Sequence, residues 1–417
     1  MTAEIGVLNG LGVALAADSA VTVGSSKVFN TADKLFSLSK HHPVGIMIYG
    51  NAGFMGVPWE TIIKVYRKKL GDITYRNLKD YSDDFFHFLI SDDRFYDKEY
   101  EKKLIGRKFY KFLDKILDEI NLMIPEIWKV EPSEEQVAQM IYGMVDFYAT
   151  EYVGTDYITS LNDDYFDVFD KQFKEYIIQI IESRINFEID FETKTLFVLI
   201  AACLVVKDHF HEETGVVIAG FGDDEIFPVL ISYEVEGIFN GVLKYKEEHN
   251  VEISATNPAT IVPFAQQEMV HSFLTGIDPE LKKQVVGLID SITSLYPAII
   301  DEHIIQLDDD QKERTLGFGK DLLRQFQEQI EQMINVKFSG PVMNTVSSFP
   351  KEELAAMAEA LVNLTSIKRK MSFQTETVGG PIDVAVISKG DGFIWIKRKH
   401  YFKPELNHTY FTNYMER

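Results

Sequence analysis

Cysteine occurs once in 417 residues, as Cys203. One thiol can form neither an intramolecular disulfide nor a cysteine-built zinc site. Its place in the apolar run from Leu196 to Val206 reads as that of a small buried hydrophobe. Positive charge is scarce too: 42 Lys and Arg stand against 64 Asp and Glu, for a net charge of −22. That balance disfavours nucleic acid and anionic membrane as partners. The opening, MTAEIGVLNGLGVALAADSAVT, has no basic start and no unbroken apolar stretch long enough for a signal peptide or membrane span. Neither a signal peptide nor a membrane span is expected there, and cytoplasm is the expected location. Internal repeats and low-complexity linkers are also missing, so no clean domain boundary shows. What is present is a globular composition, 46% hydrophobic and 25% charged, which supports a packed core.

The first fifty residues read as strands. Ala3 to Val7 and Gly12 to Ala17 flank Asn9-Gly10, a favoured tight-turn pair. Val28 to Leu38 offers two short strands, and Val44 to Tyr49 is an apolar run closed by Gly50. From Trp59 to Lys207 apolar residues recur at helical spacing, for example Phe109, Phe112, Leu113, Ile116, Leu117 and Ile120. Pro132 with Ser133-Glu134-Glu135 is a helix-start signature. Aromatic clusters such as Tyr165, Phe166, Phe169 and Phe173 read as core packing. Strands return at Gly215 to Gly220 and Ile226 to Tyr233, around the polar turn Gly222 to Glu225, and again at Ala259 to Phe264. Helical blocks follow from Pro279 to Asn335 and from Lys351 to Lys370. Ile382 to Ile387 and Phe393 to Lys397, around Gly390-Asp391-Gly392, form a closing hairpin.

Three residues carry the most chemistry: Thr2, Asp18 and Lys34. Removal of Met1 would leave Thr2 with a free α-amine beside its own hydroxyl. A hydroxyl is a poor nucleophile at neutral pH, and a terminal amine can serve as its general base. An ammonium such as Lys34 favours the neutral, proton-accepting amine by repulsion, and a carboxylate such as Asp18 holds that lysine in place.

This arrangement resembles the N-terminal-nucleophile hydrolases, and within them the proteasome β-subunit-like family. The resemblance rests on Thr2, on Gly12-Val13-Ala14-Leu15-Ala16-Ala17-Asp18-Ser19 with Thr22 four residues after the aspartate, and on Lys34. Sixteen residues separate Thr2 from Asp18, and sixteen separate Asp18 from Lys34, as in that family. It implies that Gly50 supplies a backbone N–H to the oxyanion of an acyl-transfer intermediate. Gly379-Gly380 resembles a glycine pair that follows an Asp-x-x-Ser in the family, but Thr375, Glu376, Thr377 and Val378 stand there instead. Glu376, Thr377 and Asp383 are the candidates to take over the orienting role. Ile382, Val384 and Val386 should share one face of the closing strand and Asp383 the other.

The resemblance implies an α+β fold: a four-layer α/β/β/α sandwich of two antiparallel sheets with extra helices. It makes residues 1–417 a single domain, with 59–207 and 267–349 as helical insertions. The implied activity is amide-bond hydrolysis by Thr2 on a peptide or another amide, without cofactor or metal, in a chain that could form a homo-oligomer. A rival from another class is a non-catalytic scaffold of the same fold, favoured by the changed serine positions. A metal-dependent hydrolase would need His209 and His211, which read more simply as a solvated loop. Gly317-Phe318-Gly319-Lys320 lacks the full phosphate-loop pattern. Lys397-Arg398-Lys399-His400 reads as a solvated strand end.

Overall fold

The computed structural model describes residues 3–23, 27–127, 132–158, 161, 164–210, 213–371, 379–410 and 412. The chain opens with β1 (Ala3–Asn9), β2 (Gly12–Ala17), β3 (Val21–Val23), β4 (Lys27–Phe29), β5 (Leu35–Ser37), β6 (Val44–Gly50), β7 (Gly53–Phe54) and β8 (Val57–Pro58). Helices α1 (Trp59–Leu70), α2 (Leu78–Ser91), α3 (Lys98–Ile127), α4 (Glu134–Gly154), α5 (Asp164–Arg184) and α6 (Phe191–Val206) follow. Next come β9 (Thr214–Gly220), β10 (Val229–Phe239), β11 (Val242–Glu252) and β12 (Ala259–Ala265). Helices α7 (Glu268–Thr275), α8 (Pro279–His303), α9 (Asp309–Ile334), α10 (Gly340–Val346) and α11 (Lys351–Met371) lead into the hairpin β13 (Asp383–Ser388) and β14 (Gly392–Lys397).

The fold is mixed α+β, with two five-stranded antiparallel sheets. One runs β12-β1-β2-β13-β14 and the other β11-β10-β9-β6-β5. The chain divides into two compact units, one of residues 1–47, 219–230 and 251–417, the other of residues 48–218 and 231–250.

In the first unit, period-two alternation sets the faces of the β1-β2-β13 ladder. Ala3, Ile5, Val7, Ala14, Ala16, Val384 and Val386 pack with Leu354, Ala358, Leu361 and Val362 of α11. Burying a leucine or valine of this kind contributes about 1.5–3 kcal/mol. On the opposite face, a Cβ on Gly45 of β6 would lie 2.7 Å from Ile387 Cδ1 and 2.9 Å from Phe393 Cε2. Only glycine lets those side chains approach the strand so closely.

The first turn falls one residue later than Asn9-Gly10 suggests. Asn9 pairs with Gly12 across the strands, which leaves Gly10 and Leu11 as the turn. Asn9 is fully buried, and its amide donates to the carbonyls of Val346 and Phe349, both at 2.9 Å, while its Oδ1 accepts from the Leu11 N–H. The residue is an anchor for the chain beyond α10.

In the second unit, Trp59, Tyr66, Phe85, Phe109, Phe112, Phe169 and Phe197 are buried. Ser133 caps α4 by accepting the Gln136 N–H, and Gln136 returns the bond to the Ser133 N–H, so two free helix-end donors are satisfied. Cys203 is buried, and burial pushes its thiol up to about 11. The sequence reading ends a strand near Tyr233, but β10 continues to Phe239 and turns through Asn240 and Gly241 into β11. Both turn residues have positive φ, +50° and +77°, the conformation that favours Asn-Gly in tight hairpins. Glu236 sits within this long strand, buried against the ammonium groups of Lys108 and Lys244.

Candidate active site

Asp18 follows the last residue of β2, where the chain leaves the sheet. Its carboxylate is 1% exposed and accepts from three donors. Lys34 Nζ lies 2.5 Å and the Ala3 N–H nitrogen 3.3 Å from Oδ1, and the Gly379 nitrogen lies 2.9 Å from Oδ2. The backbone N–H of Asp18 donates in turn to the Ala3 carbonyl at 3.1 Å. Asp18 therefore joins the start of β1, the loop before β5 and the segment before β13. Thr2 lies outside the described residues, and Ala3 is its covalent neighbour.

The glycine pair explains how Gly379 reaches the carboxylate. Gly380 has a φ of +79°, and a Cβ there would stand 2.9 Å from Asn30 Cβ and 3.0 Å from the Asn30 carbonyl oxygen. A side chain would be strained by the backbone and crowded by Asn30. Ser19 completes the grip: its N–H donates to the Gly379 carbonyl at 3.2 Å, and its hydroxyl to the Pro381 carbonyl at 2.5 Å.

Lys34 has a second carboxylate partner that the sequence reading missed. Glu4 Oε1 lies 3.2 Å from Lys34 Nζ, and the Glu4 side chain is 0% exposed. Glu4 alternates with the apolar residues of β1 that face α11, and so lies on the opposite sheet face. The signal was available in principle. A carboxylate amid Ala3, Ile5, Val7 and Leu8 must find a cation if the strand is covered on both sides.

Asp383 lies on that same face, since Glu4 and Asp383 both pair with Ala17, one from each side. Its carboxylate accepts the backbone N–H of Lys399 at 2.8 Å and Lys399 Nζ at 2.5 Å. Lys399 Nζ also lies 3.1 Å from Asp33. The side chain of Lys399 is 11% exposed, so it is a largely covered counter-ion where a solvated strand end was expected. Adjacent residues Asp33 and Lys34 thus enter two ion clusters, Asp383–Lys399–Asp33 and Glu4–Lys34–Asp18. Glu376 and Thr377 lie outside the described residues.

Gly50 belongs to the second unit, at the end of β6. Its φ is +81°, and a Cβ would lie 2.7 Å from the Glu213 carbonyl oxygen. In the same unit the ring of His209 stacks 4.0 Å from that of Tyr152, and its carbonyl accepts from Lys108 and Lys244. His211 lies outside the described residues. Among the described residues no group of three or more His, Cys, Asp or Glu side chains is placed to hold a metal ion, and no helix is long and apolar enough to cross a membrane.

No protein-family model matches the chain, and no curated protein matches it. Solved structures that align with it include the Anbu (Gly-1) mutant from Hyphomicrobium sp. strain MC1, at 8% identity and a TM-score of 0.30 over 100% of this chain and 96% of that one. Anbu (ancestral beta-subunit) from Yersinia bercovieri aligns at 9% identity and a TM-score of 0.30, over 99% and 95% of the two chains. The helical assembly of the Anbu complex from Pseudomonas aeruginosa gives 8% and 0.28, over 99% and 94%. Likeness this low carries no conclusion about function.

These findings correct the assignment to the proteasome β-subunit-like family of N-terminal-nucleophile hydrolases with large helical insertions. Thr2, Asp18 and Lys34 at sixteen-residue intervals describe a local constellation in the first fifty residues. A hairpin and one following strand are enough to bring an aspartate and a lysine together, and the remaining chain adds no family match.

Proposed function

We propose that this protein is an amide-bond hydrolase whose nucleophile is Thr2, exposed by removal of Met1. The observation that supports this most is the buried contact of Lys34 Nζ with Asp18, at 2.5 Å, where Asp18 also holds the N–H of the residue next to Thr2. In this reading the Thr2 amine takes the hydroxyl proton while the hydroxyl oxygen bonds to the substrate carbonyl carbon. The carbonyl oxygen becomes an oxyanion, which a backbone N–H donor stabilises. The amine then passes its proton to the leaving nitrogen as the C–N bond breaks. Water, deprotonated by the same amine, releases the acyl group from the threonine ester. Asp18 and Lys34 act by position and charge. Asp383 holds Lys399, which also contacts Asp33, the residue before Lys34, while Glu376 and Thr377 remain candidates for orienting the nucleophile.

The substrate class is an amide, either a peptide or a small molecule, because the nucleophile itself does not distinguish them. The same reading takes the two sheets as the inner layers of an α/β/β/α sandwich, supported by the approach of Ile387 and Phe393 to Gly45. It treats the chain as one domain with helical insertions at 59–207 and 267–349.

Glu4 favours a second reading, a non-catalytic scaffold. Two carboxylates around one ammonium leave the fully ionised Glu4–Lys34–Asp18 cluster with a net charge of −1, which offsets the repulsion Lys34 would exert on a nearby amine. Intact-mass measurement before and after an epoxyketone that targets N-terminal threonine separates the two. The hydrolase should lack Met1 and gain one inhibitor mass on the Thr2 peptide. A retained Met1 or a blocked amine would end the catalytic reading.

A further inference from the structure

Helices α8 and α9 form an antiparallel hairpin, registered by ion pairs between Lys282 and Glu331 at one end and between Lys312 and Asp301 at the other. Its seam holds residues at helical spacing that are partly covered, Val286 and Ile289 on α8 and Leu323, Phe326 and Ile330 on α9, together with the buried Pro297. Gly319 lets the helices approach closely, since a Cβ there would lie 2.9 Å from the Thr293 carbonyl oxygen. The hairpin therefore closes without using all of its apolar residues.

The unused ones are ordered. On α8, Leu288, Ile292, Leu295 and Ile299 are 64%, 62%, 60% and 47% exposed. They succeed one another at intervals of four, three and four, the alternation by which one helix meets another in a coiled coil. At about 100° per residue they form a stripe roughly a third of a turn from the seam. Phe318 and Leu322 of α9, 74% and 58% exposed, lie on the matching flank. The hairpin register sets Phe318 level with Leu295, and Leu322 level with Ile292, so the six side chains make one continuous face.

We infer that this face is a self-association surface, on which the α8–α9 hairpin of a second copy of this chain packs to complete a four-helix bundle. Three features specify that occupant. The alternation of four and three fits a helix, not an extended segment. The six residues expose roughly 700 Å² per copy, or about 1,400 Å² per pair, within the range of about 1,200–2,000 Å² typical of stable specific interfaces. Acids outnumber Lys and Arg along the hairpin, which disfavours an anionic lipid surface. A single face near the middle of a hairpin can also meet its own copy about a two-fold axis, with no second complementary surface needed. None of this depends on Thr2 being a nucleophile.

Sedimentation equilibrium of the full chain across the micromolar range tests the proposal. The wild type should approach twice 47.7 kDa, and the double variant Ile292→Glu/Leu295→Glu should sediment as a monomer with unchanged far-UV circular dichroism. Oxidation of an Ile292→Cys variant should give a covalent dimer, whereas Lys283→Cys on another side of α8 should not. The native Cys203 is buried and would not compete. A wild type that stays monomeric overturns the proposal, and binding to phosphatidylcholine vesicles in that case would reassign the face to lipid. An assembly unaffected by the double variant, with no cross-link through Ile292→Cys, overturns it equally.

Discussion

Replacing Lys34 by methionine removes an ammonium that contacts two buried carboxylates. The side chains of Glu4 and Asp18 are 0% and 1% exposed, and they stand 3.2 and 2.5 Å from the ammonium. Asp18 would keep two donors, the N–H groups of Ala3 and Gly379. Glu4 would lose the ammonium that lies 3.2 Å from its Oε1. Breaking a buried pair in this way costs about 3–5 kcal/mol, because the charges left behind are no longer compensated. Hydrogen exchange read by mass spectrometry should report the loss locally, in peptides covering β1 and β2. Since about 1.4 kcal/mol corresponds to a factor of ten, their protection should fall roughly 10²- to 4 × 10³-fold. Adding Glu4→Gln to Lys34→Met removes one of the stranded charges and should restore part of the protection. The two substitutions should therefore be non-additive. A change below about threefold in Lys34→Met, or strict additivity with Glu4→Gln, would refute the claim that the cluster is a closed electrostatic unit.

Gly380→Ala should lower the melting temperature and expose the Asp18 peptide to exchange. The positive φ and the Asn30 contact should together cost about 1–3 kcal/mol, and an unchanged thermal scan would contradict the strain argument. Asn9→Ala removes the side-chain donor from the carbonyls of Val346, which keeps the Phe349 N–H, and of Phe349, and should cost about 1–3 kcal/mol in urea unfolding. Lys244 gives a pH dependence with a definite sign. Burial, reinforced by the neighbouring Lys108, pushes it down to about 7 from an ordinary 10.5, so the unfolded chain binds the extra proton between those values. Its contribution is complete above the unfolded value and declines as pH falls towards 7, by about 1.4 kcal/mol per unit at most. Melting temperatures of the wild type relative to Lys244→Met should therefore rise from pH 7.5 to pH 9.5, and a flat difference would oppose the assignment.

Turn chemistry and apolar alternation made much of the first sheet legible, since β1, β2, β13 and β14 are bounded by glycine-rich turns. The β10–β11 hairpin was not legible for a physical reason. Glu234 and Glu236 interrupt its apolar pattern, and burial of Glu236 depends on Lys108 of α3, far away in sequence. The Asn240-Gly241 pair was the overlooked local signal. Glu4 was hidden in the same way, because its partner Lys34 arrives from another strand. Lys399 looked solvated while its neighbours in sequence were the only context, and Asp33 and Asp383 reverse that reading. What sequence inspection handles least well is a charge whose counter-charge is brought to it by the fold.

The hydrogen bond from Gly379 to Asp18 also has a meaning in time. Its partners are 361 residues apart, and a ribosome adding about 5–20 residues per second needs roughly 20–70 s to make the chain between them. Through that interval β2 waits for the strand that will pair with it, and Asp18 waits for one of its three donors. A prematurely terminated chain can contain Thr2, Asp18 and Lys34 and still lack the segment that fixes the aspartate. If the site is catalytic, it switches on only after the segment carrying Gly379 has been made, so the order of synthesis is itself the safeguard against a half-made hydrolase.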